Sequence, residues 1–132
     1  MSTALQQPIV VMAGGTGGHV FPALAVAEIL RERGEQIVWL GTTRGIEARL
    51  VPAAGFSIEW LNVQGLRGKG AVTLLLAPFR LLRACWQVLR LFKRLRPKAV
   101  LGMGGFVSGP GGLMAWMLNI PLFLHEQNSV SG

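Results

Sequence analysis

Apolar residues in this chain come in short unbroken runs, and stretches of helical spacing separate them. Ile9–Ala13 is five apolar residues in succession, the pattern of a strand buried on both faces. After a glycine-rich turn, Val20–Leu30 changes to helical spacing, with Ala23, Ala27 and Leu30 on one face and Pro22 in its first turn. Arg33–Gly34 gives this helix a cationic last turn and a glycine stop. Gln36–Gly41 predicts a second strand, Ile46–Ala54 a short helix weakened late by Pro52, and Phe56–Val63 a third strand. Gly65–Gly70 reads as a basic loop, and Val72–Leu95 as a long helix stopped by Pro97. Ala99–Gly102 predicts strand four, Leu113–Leu118 the continuation of a helix, and Pro121–His125 strand five. Strand and helix alternate throughout. That order predicts an α/β fold, a Rossmann-like parallel sheet with helices on both faces.

The first turn is the most informative stretch. Gly14–Gly15–Thr16–Gly17–Gly18–His19 holds four glycines, a Thr and a closing His between strand and helix. In such a turn, free N–H groups and the positive end of a helix dipole face outward, ready for a phosphate or a sugar oxygen. It is not a dinucleotide fingerprint, because the third glycine would fall on Val20 and strand two runs into Thr42–Thr43 without a carboxylate. It is not a P-loop either, since no Lys follows the glycines.

Length and composition narrow the class. A chain of 132 residues, 51% hydrophobic and 14% charged, is one globular domain. Residues 1–7 read as a flexible tail and 8–132 as the domain. The tail lacks the cationic start and apolar run of a signal peptide. The single cysteine, Cys85, offers no internal disulfide and no cysteine metal cluster. The longest apolar run, Ala71–Phe79, is far short of the ~20 residues that a membrane span needs.

Charge is placed unevenly. The net charge is +7, and no acid lies between Glu59 and Glu126, where nine Lys and Arg residues fall. An anionic partner is implied. At about 100° per residue, Arg80, Arg83, Gln87, Arg90 and Arg94 form one stripe of the long helix. Leu75, Phe79, Leu82 and Trp86 lie beside that stripe, while Leu81, Cys85, Val88, Phe92 and Leu95 form an opposite flank expected to face the core. Aromatic and aliphatic residues interleaved with Arg suit an anionic lipid surface better than a nucleic-acid groove, so no nucleic-acid partner is expected.

Gly102–Gly112 is a second glycine-rich stretch after a strand, with six glycines. In a parallel sheet both glycine stretches, and His125–Glu126–Gln127–Asn128 after strand five, emerge at the carboxyl edge, where ligands bind.

These three stretches resemble the signatures of the MurG family of bacterial peptidoglycan glycosyltransferases. The likeness runs over essentially the whole chain and includes Gly41–Thr42 and Gln64–Gly70. It implies the amino-terminal half of a two-domain GT-B enzyme, with the carboxy-terminal nucleotide-binding domain absent from this chain. The implied activity is inverting transfer of GlcNAc from UDP-GlcNAc to lipid I, the undecaprenyl-diphosphate-linked muramyl-pentapeptide, giving lipid II. The setting it implies is peripheral, on the cytoplasmic face of the bacterial inner membrane. The attacking hydroxyl needs a base; His19 is the first choice and Glu126 the competitor. Thr16, Gly17 and Gly18 would serve the donor, and the resemblance adds Asn128 for its GlcNAc. Gly104, Gly105, Ser108 and Gly109 would meet the acceptor diphosphate. Leu75, Phe79, Arg80, Leu82, Arg83, Trp86 and Arg90 would meet the anionic membrane. The chain contains no Asp, so the Asp-x-Asp metal pair of the other major transferase fold has no place in it. No metal or other cofactor is expected, and N–H groups and helix ends must meet the leaving diphosphate instead. The fragment alone is expected to be inactive. The alternative is a non-catalytic module that binds the acceptor or an anionic membrane.

Overall fold

A computed structural model of the chain describes residues 7–15, 17–61, 71–104 and 107–125. The elements are β1 (Ile9–Ala13), α1 (Gly17–Glu32), β2 (Ile37–Gly41), α2 (Glu47–Ala53), β3 (Ser57–Trp60), α3 (Ala71–Leu95), β4 (Ala99–Gly104), α4 (Ser108–Met117) and β5 (Leu122–Leu124). The five strands form one sheet in the order β3-β2-β1-β4-β5. Every neighbouring pair is parallel.

The wholly apolar β1 and β2 run through the middle of the structure, each buried along its whole length. One face of the sheet packs on α1 and α2, through Val11, Val20, Ala23, Ala27, Trp39, Val51 and Phe56. The other packs on α3 and α4, through Val10, Met12, Val88, Leu91, Phe92, Val100 and Met114. Trp39 is fully buried, and its indole Nε1–H donates to the Ala13 carbonyl at 2.9 Å. The one polar atom of that large side chain is therefore satisfied inside the core.

Several boundaries depart from the sequence pattern. α1 begins at Gly17, not Val20, so Gly17, Gly18 and His19 form its first turn. Pro22 consequently lies one turn further in than expected, where its missing N–H costs the Gly18 carbonyl its helical partner. Gly18 is exposed, so water can serve that carbonyl. The second glycine stretch is mostly regular structure. Gly102 and Gly104 belong to β4, and Gly109, Gly111 and Gly112 to α4. The reason is close packing: a Cβ on Gly111 would lie 2.0 Å from Met12 Sδ, so glycine here lets α4 approach β1. On α3, Leu81 is exposed rather than buried, while Val88 and Phe92 are buried as expected and Cys85 and Leu95 pack at the core's edge. Burying a side chain such as Phe92 is worth about 1.5–3 kcal/mol. The second half of α3 therefore holds the helix on the sheet, and Leu81 lies outside that contact. Residues 1–6 of the expected tail, the loop Gly65–Gly70, and Asn62 and Val63 of the third predicted strand lie outside the described residues.

Candidate active site

The chain passes from β3, at one end of the sheet, over to β4 on the far side of β1. The strand order therefore reverses between β1 and β4. In an open α/β sheet, the carboxyl ends of the two strands at such a reversal leave a crevice where ligands bind. Both glycine stretches flank it. Gly14 N–H donates to the Gly104 carbonyl at 3.3 Å, so the two stretches are joined through their backbones. His125 N–H donates to the Gly102 carbonyl at 2.8 Å, which brings the end of β5 to the same edge.

His19 sits over this junction. Its Nδ1 is 3.4 Å from the Gly14 carbonyl. A Cβ on Gly104 would lie 2.7 Å from His19 Cδ2, so the imidazole rests directly on the Gly104 backbone. Gly104 also has φ +117°, a conformation that disfavours any side chain. With Nδ1 carrying the hydrogen that faces Gly14, Nε2 is the nitrogen left with a lone pair. That tautomer is the one a general base needs.

Ser108 opens α4 beneath the same edge. Its Oγ accepts from Gly104 N–H at 3.2 Å and faces the Met12 carbonyl at 3.5 Å. The hydroxyl therefore already ties β4, α4 and β1 together. Gly17 and Gly18 supply first-turn N–H groups of α1, which have no partner within the helix. Gly109 is exposed, with open space where a side chain would stand. His19, Gly17, Gly18, Gly104, Ser108 and Gly109 are thus brought to one edge. Thr16, Gly105, Glu126 and Asn128 lie outside the described residues. Among the described residues no three His, Cys, Asp or Glu side chains are grouped to hold a metal ion.

The sequence pattern missed Glu47. It is fully buried at the start of α2. Its Oε1 accepts from Gly15 N–H at 3.0 Å, and its Oε2 accepts from Thr42 N–H at 3.0 Å and from Thr42 Oγ1 at 3.2 Å. A Glu that opens a helix ordinarily faces solvent and complements the dipole. The available signal was its surroundings, a carboxylate placed just after Gly41–Thr42 and Gly45.

On α3, Leu75, Phe79, Leu82 and Trp86 are 71%, 68%, 66% and 54% exposed. The Arg90 guanidinium lies 5.0 Å from the centre of the Trp86 ring. Arg94 pairs with Glu59 at 3.1 Å, and so belongs to the contact between α3 and β3. No helix among the described residues is long and apolar enough to cross a membrane. A cavity of about 500 Å³ lies between the end of β3 and α3, lined by Trp60, Trp86, Arg90 and Arg94 among others. It is separate from the crevice between β1 and β4.

A parallel sheet of this order, with glycine segments at its reversal point, defines a Rossmann-like α/β domain whose ligand-binding edge lies at the carboxyl ends of its strands. The chain belongs to the family described as the glycosyltransferase family 28 N-terminal domain, which matches residues 9–132. It is 60% identical over 128 residues to the UDP-N-acetylglucosamine--N-acetylmuramyl-(pentapeptide) pyrophosphoryl-undecaprenol N-acetylglucosamine transferase of Alkalilimnicola ehrlichii, covering 97% of this chain and 36% of that protein. It is 61% identical over 124 residues to the protein of the same name from Methylococcus capsulatus, covering 94% of this chain and 35% of that one. Among solved structures, MurG of Acinetobacter baumannii superposes with a TM-score of 0.82 at 46% identity, covering 96% of this chain and 37% of that one. The fold is accordingly that of the amino-terminal domain of a GT-B glycosyltransferase. The chain spans little more than a third of these relatives' length.

Proposed function

We propose that this domain forms the acceptor half of an inverting N-acetylglucosaminyltransferase, which moves GlcNAc from UDP-GlcNAc to lipid I and yields lipid II. One observation carries the reading: a chain that seats a histidine on its second glycine stretch is 60% identical, over nearly its whole length, to a protein named for this transfer. In the proposed reaction an acceptor hydroxyl attacks the anomeric carbon and UDP departs. His19 Nε2 takes the hydroxyl proton as that bond forms. Glu126 is the competing base. Thr16, Gly17 and Gly18 offer N–H groups to the donor, and Asn128 meets its GlcNAc. Gly104, Gly105, Ser108 and Gly109 form the segment that receives the acceptor diphosphate; Ser108 must turn its hydroxyl from Met12 to do so, and the Gly104 N–H, which donates to Ser108 Oγ, becomes available only with that turn. The exposed face of α3 rests on the anionic cytoplasmic surface of the inner membrane, beside the lipid-linked acceptor. The reading requires no metal or other cofactor.

The test uses a full-length protein bearing this domain, with UDP-GlcNAc and a lipid I analogue. Replacing His19 by Ala is expected to lower kcat by roughly 100-fold or more with little change in KM for either substrate, the loss that follows removal of a general base. Undiminished turnover would transfer the base role to Glu126.

A second reading has its own observation. The exposed face of α3 joins apolar side chains to arginine, as where Arg90 lies over Trp86, and this supports a non-catalytic module for the acceptor or an anionic membrane.

A further inference from the structure

Glu47 is buried, yet it lies outside the chemistry described above. Its carboxylate occupies a space that three glycines leave open. A Cβ on Gly14 would lie 2.6 Å from Glu47 Oε2, one on Gly41 2.8 Å from Glu47 Cγ, and one on Gly45 2.0 Å from Glu47 Oε1. Three donors from two separate loops converge on that carboxylate. Gly15 belongs to the turn after β1, and Thr42 to the loop after β2. Gly15 stands at φ +92°, directly before the segment that opens α1.

A turn this rich in glycine is costly to order, because glycine loses more backbone freedom than any other residue. Left free, it would be fixed only when a ligand arrived, and affinity would fall by that ordering cost. A buried carboxylate that bonds the turn's own N–H group fixes it beforehand. Hydrogen bonds to an ionised acceptor are roughly twice as strong as neutral ones. Both Gly17 and Gly18, with their outward N–H groups, follow within three residues of Gly15.

We propose that Glu47 is a positioning residue for the sugar-transfer site: its carboxylate clamps Gly15 to Thr42 and so sets the glycine turn in its ligand-receiving shape. This inference rests on the proposed function, and deepens it by assigning affinity for the nucleotide sugar to a residue that does not touch it.

Glu47→Gln in the full-length protein is the test. The amide has the same shape but only one acceptor oxygen, and its NH2 group must face a donor N–H. The KM for UDP-GlcNAc is expected to rise about tenfold or more with kcat changed less than about threefold, the signature of lost preorganisation rather than lost chemistry. Amide hydrogen exchange across residues 14–18, read by mass spectrometry, is expected to speed by about tenfold as well. A purely structural role would lower Tm and leave both readouts of the folded protein unchanged, which would overturn the proposal. Should Glu47→Gln fail to fold, Thr42→Val decides. It removes only the hydroxyl donor and is expected to raise the same KM about threefold, in line with one hydrogen bond; an unchanged KM there would overturn the proposal. A wild-type protein that transfers no GlcNAc overturns the proposed function, and with it any role of Glu47 in sugar transfer.

Discussion

Gly109 and Gly111 stand two positions apart in α4 and face opposite circumstances. Gly111 abuts the fully buried Met12, so a methyl group there has nowhere to go. Gly109 faces open space. Gly111→Ala is expected to destabilise the domain by about 1–3 kcal/mol, the usual cost of overpacking. Gly109→Ala is expected to be neutral or to stabilise by up to about 1 kcal/mol through helix propensity. Urea midpoints at constant m-value check both, and equal effects would contradict the packing described. The same contrast shows what sequence can convey at this scale. A run of glycines announces close approach or a turn, but not which glycine does which. The position of His19 at this edge was legible because it closes the glycine run where strand passes into helix. Glu47 was not, because burial of a helix-opening carboxylate depends on two loops that meet only in the fold. Cys85 reads in the sequence as a packing residue, and burial indeed pushes its thiol above the usual pKa.

At the scale of elements, α3 departs most from what a soluble helix needs. The helical spacing correctly separates the exposed flank of Leu75, Phe79, Leu82 and Trp86 from buried Val88 and Phe92. It erred at Leu81, since the wheel describes direction and not how far the sheet extends beneath the helix. With Arg80, Arg83 and Arg90 interleaved, this flank pairs apolar area with positive charge, the combination that binds an anionic interface. A basic residue near such a surface contributes about 1 kcal/mol. Reversing Arg80, Arg83 and Arg90 to Glu is therefore expected to weaken binding to vesicles rich in anionic lipid by at least about 100-fold, with little effect on neutral vesicles. Flotation at low and high salt checks this. Binding indifferent to lipid charge and to all three reversals would remove α3 from the membrane.

At the scale of the whole molecule, alternation of strands and helices was enough to announce the parallel sheet, because a buried parallel strand must read as a continuous apolar run. The strand order was not spelled out by that alternation. The reversal between β1 and β4 arises from where α3 sends the chain back, and it is this reversal that turns two glycine stretches into one crevice. Among the described residues, this edge carries the first-turn N–H groups of α1 and the imidazole of His19. A sugar nucleotide held there still needs a second surface across the cleft, and this chain spans only 36% of the length of a relative named for the transfer. The 132-residue chain by itself is therefore expected to give no GlcNAc transfer in an assay where a full-length protein bearing it turns over. It is nevertheless expected to bind anionic vesicles, since α3 is anchored to one face of the sheet through Val88, Leu91 and Phe92 and presents its apolar and basic flank outward. Vesicle binding thereby serves as the control for folding. Loss of transfer with binding retained places the chemistry between two domains, whereas turnover by the chain alone would place both substrates within the crevice between β1 and β4.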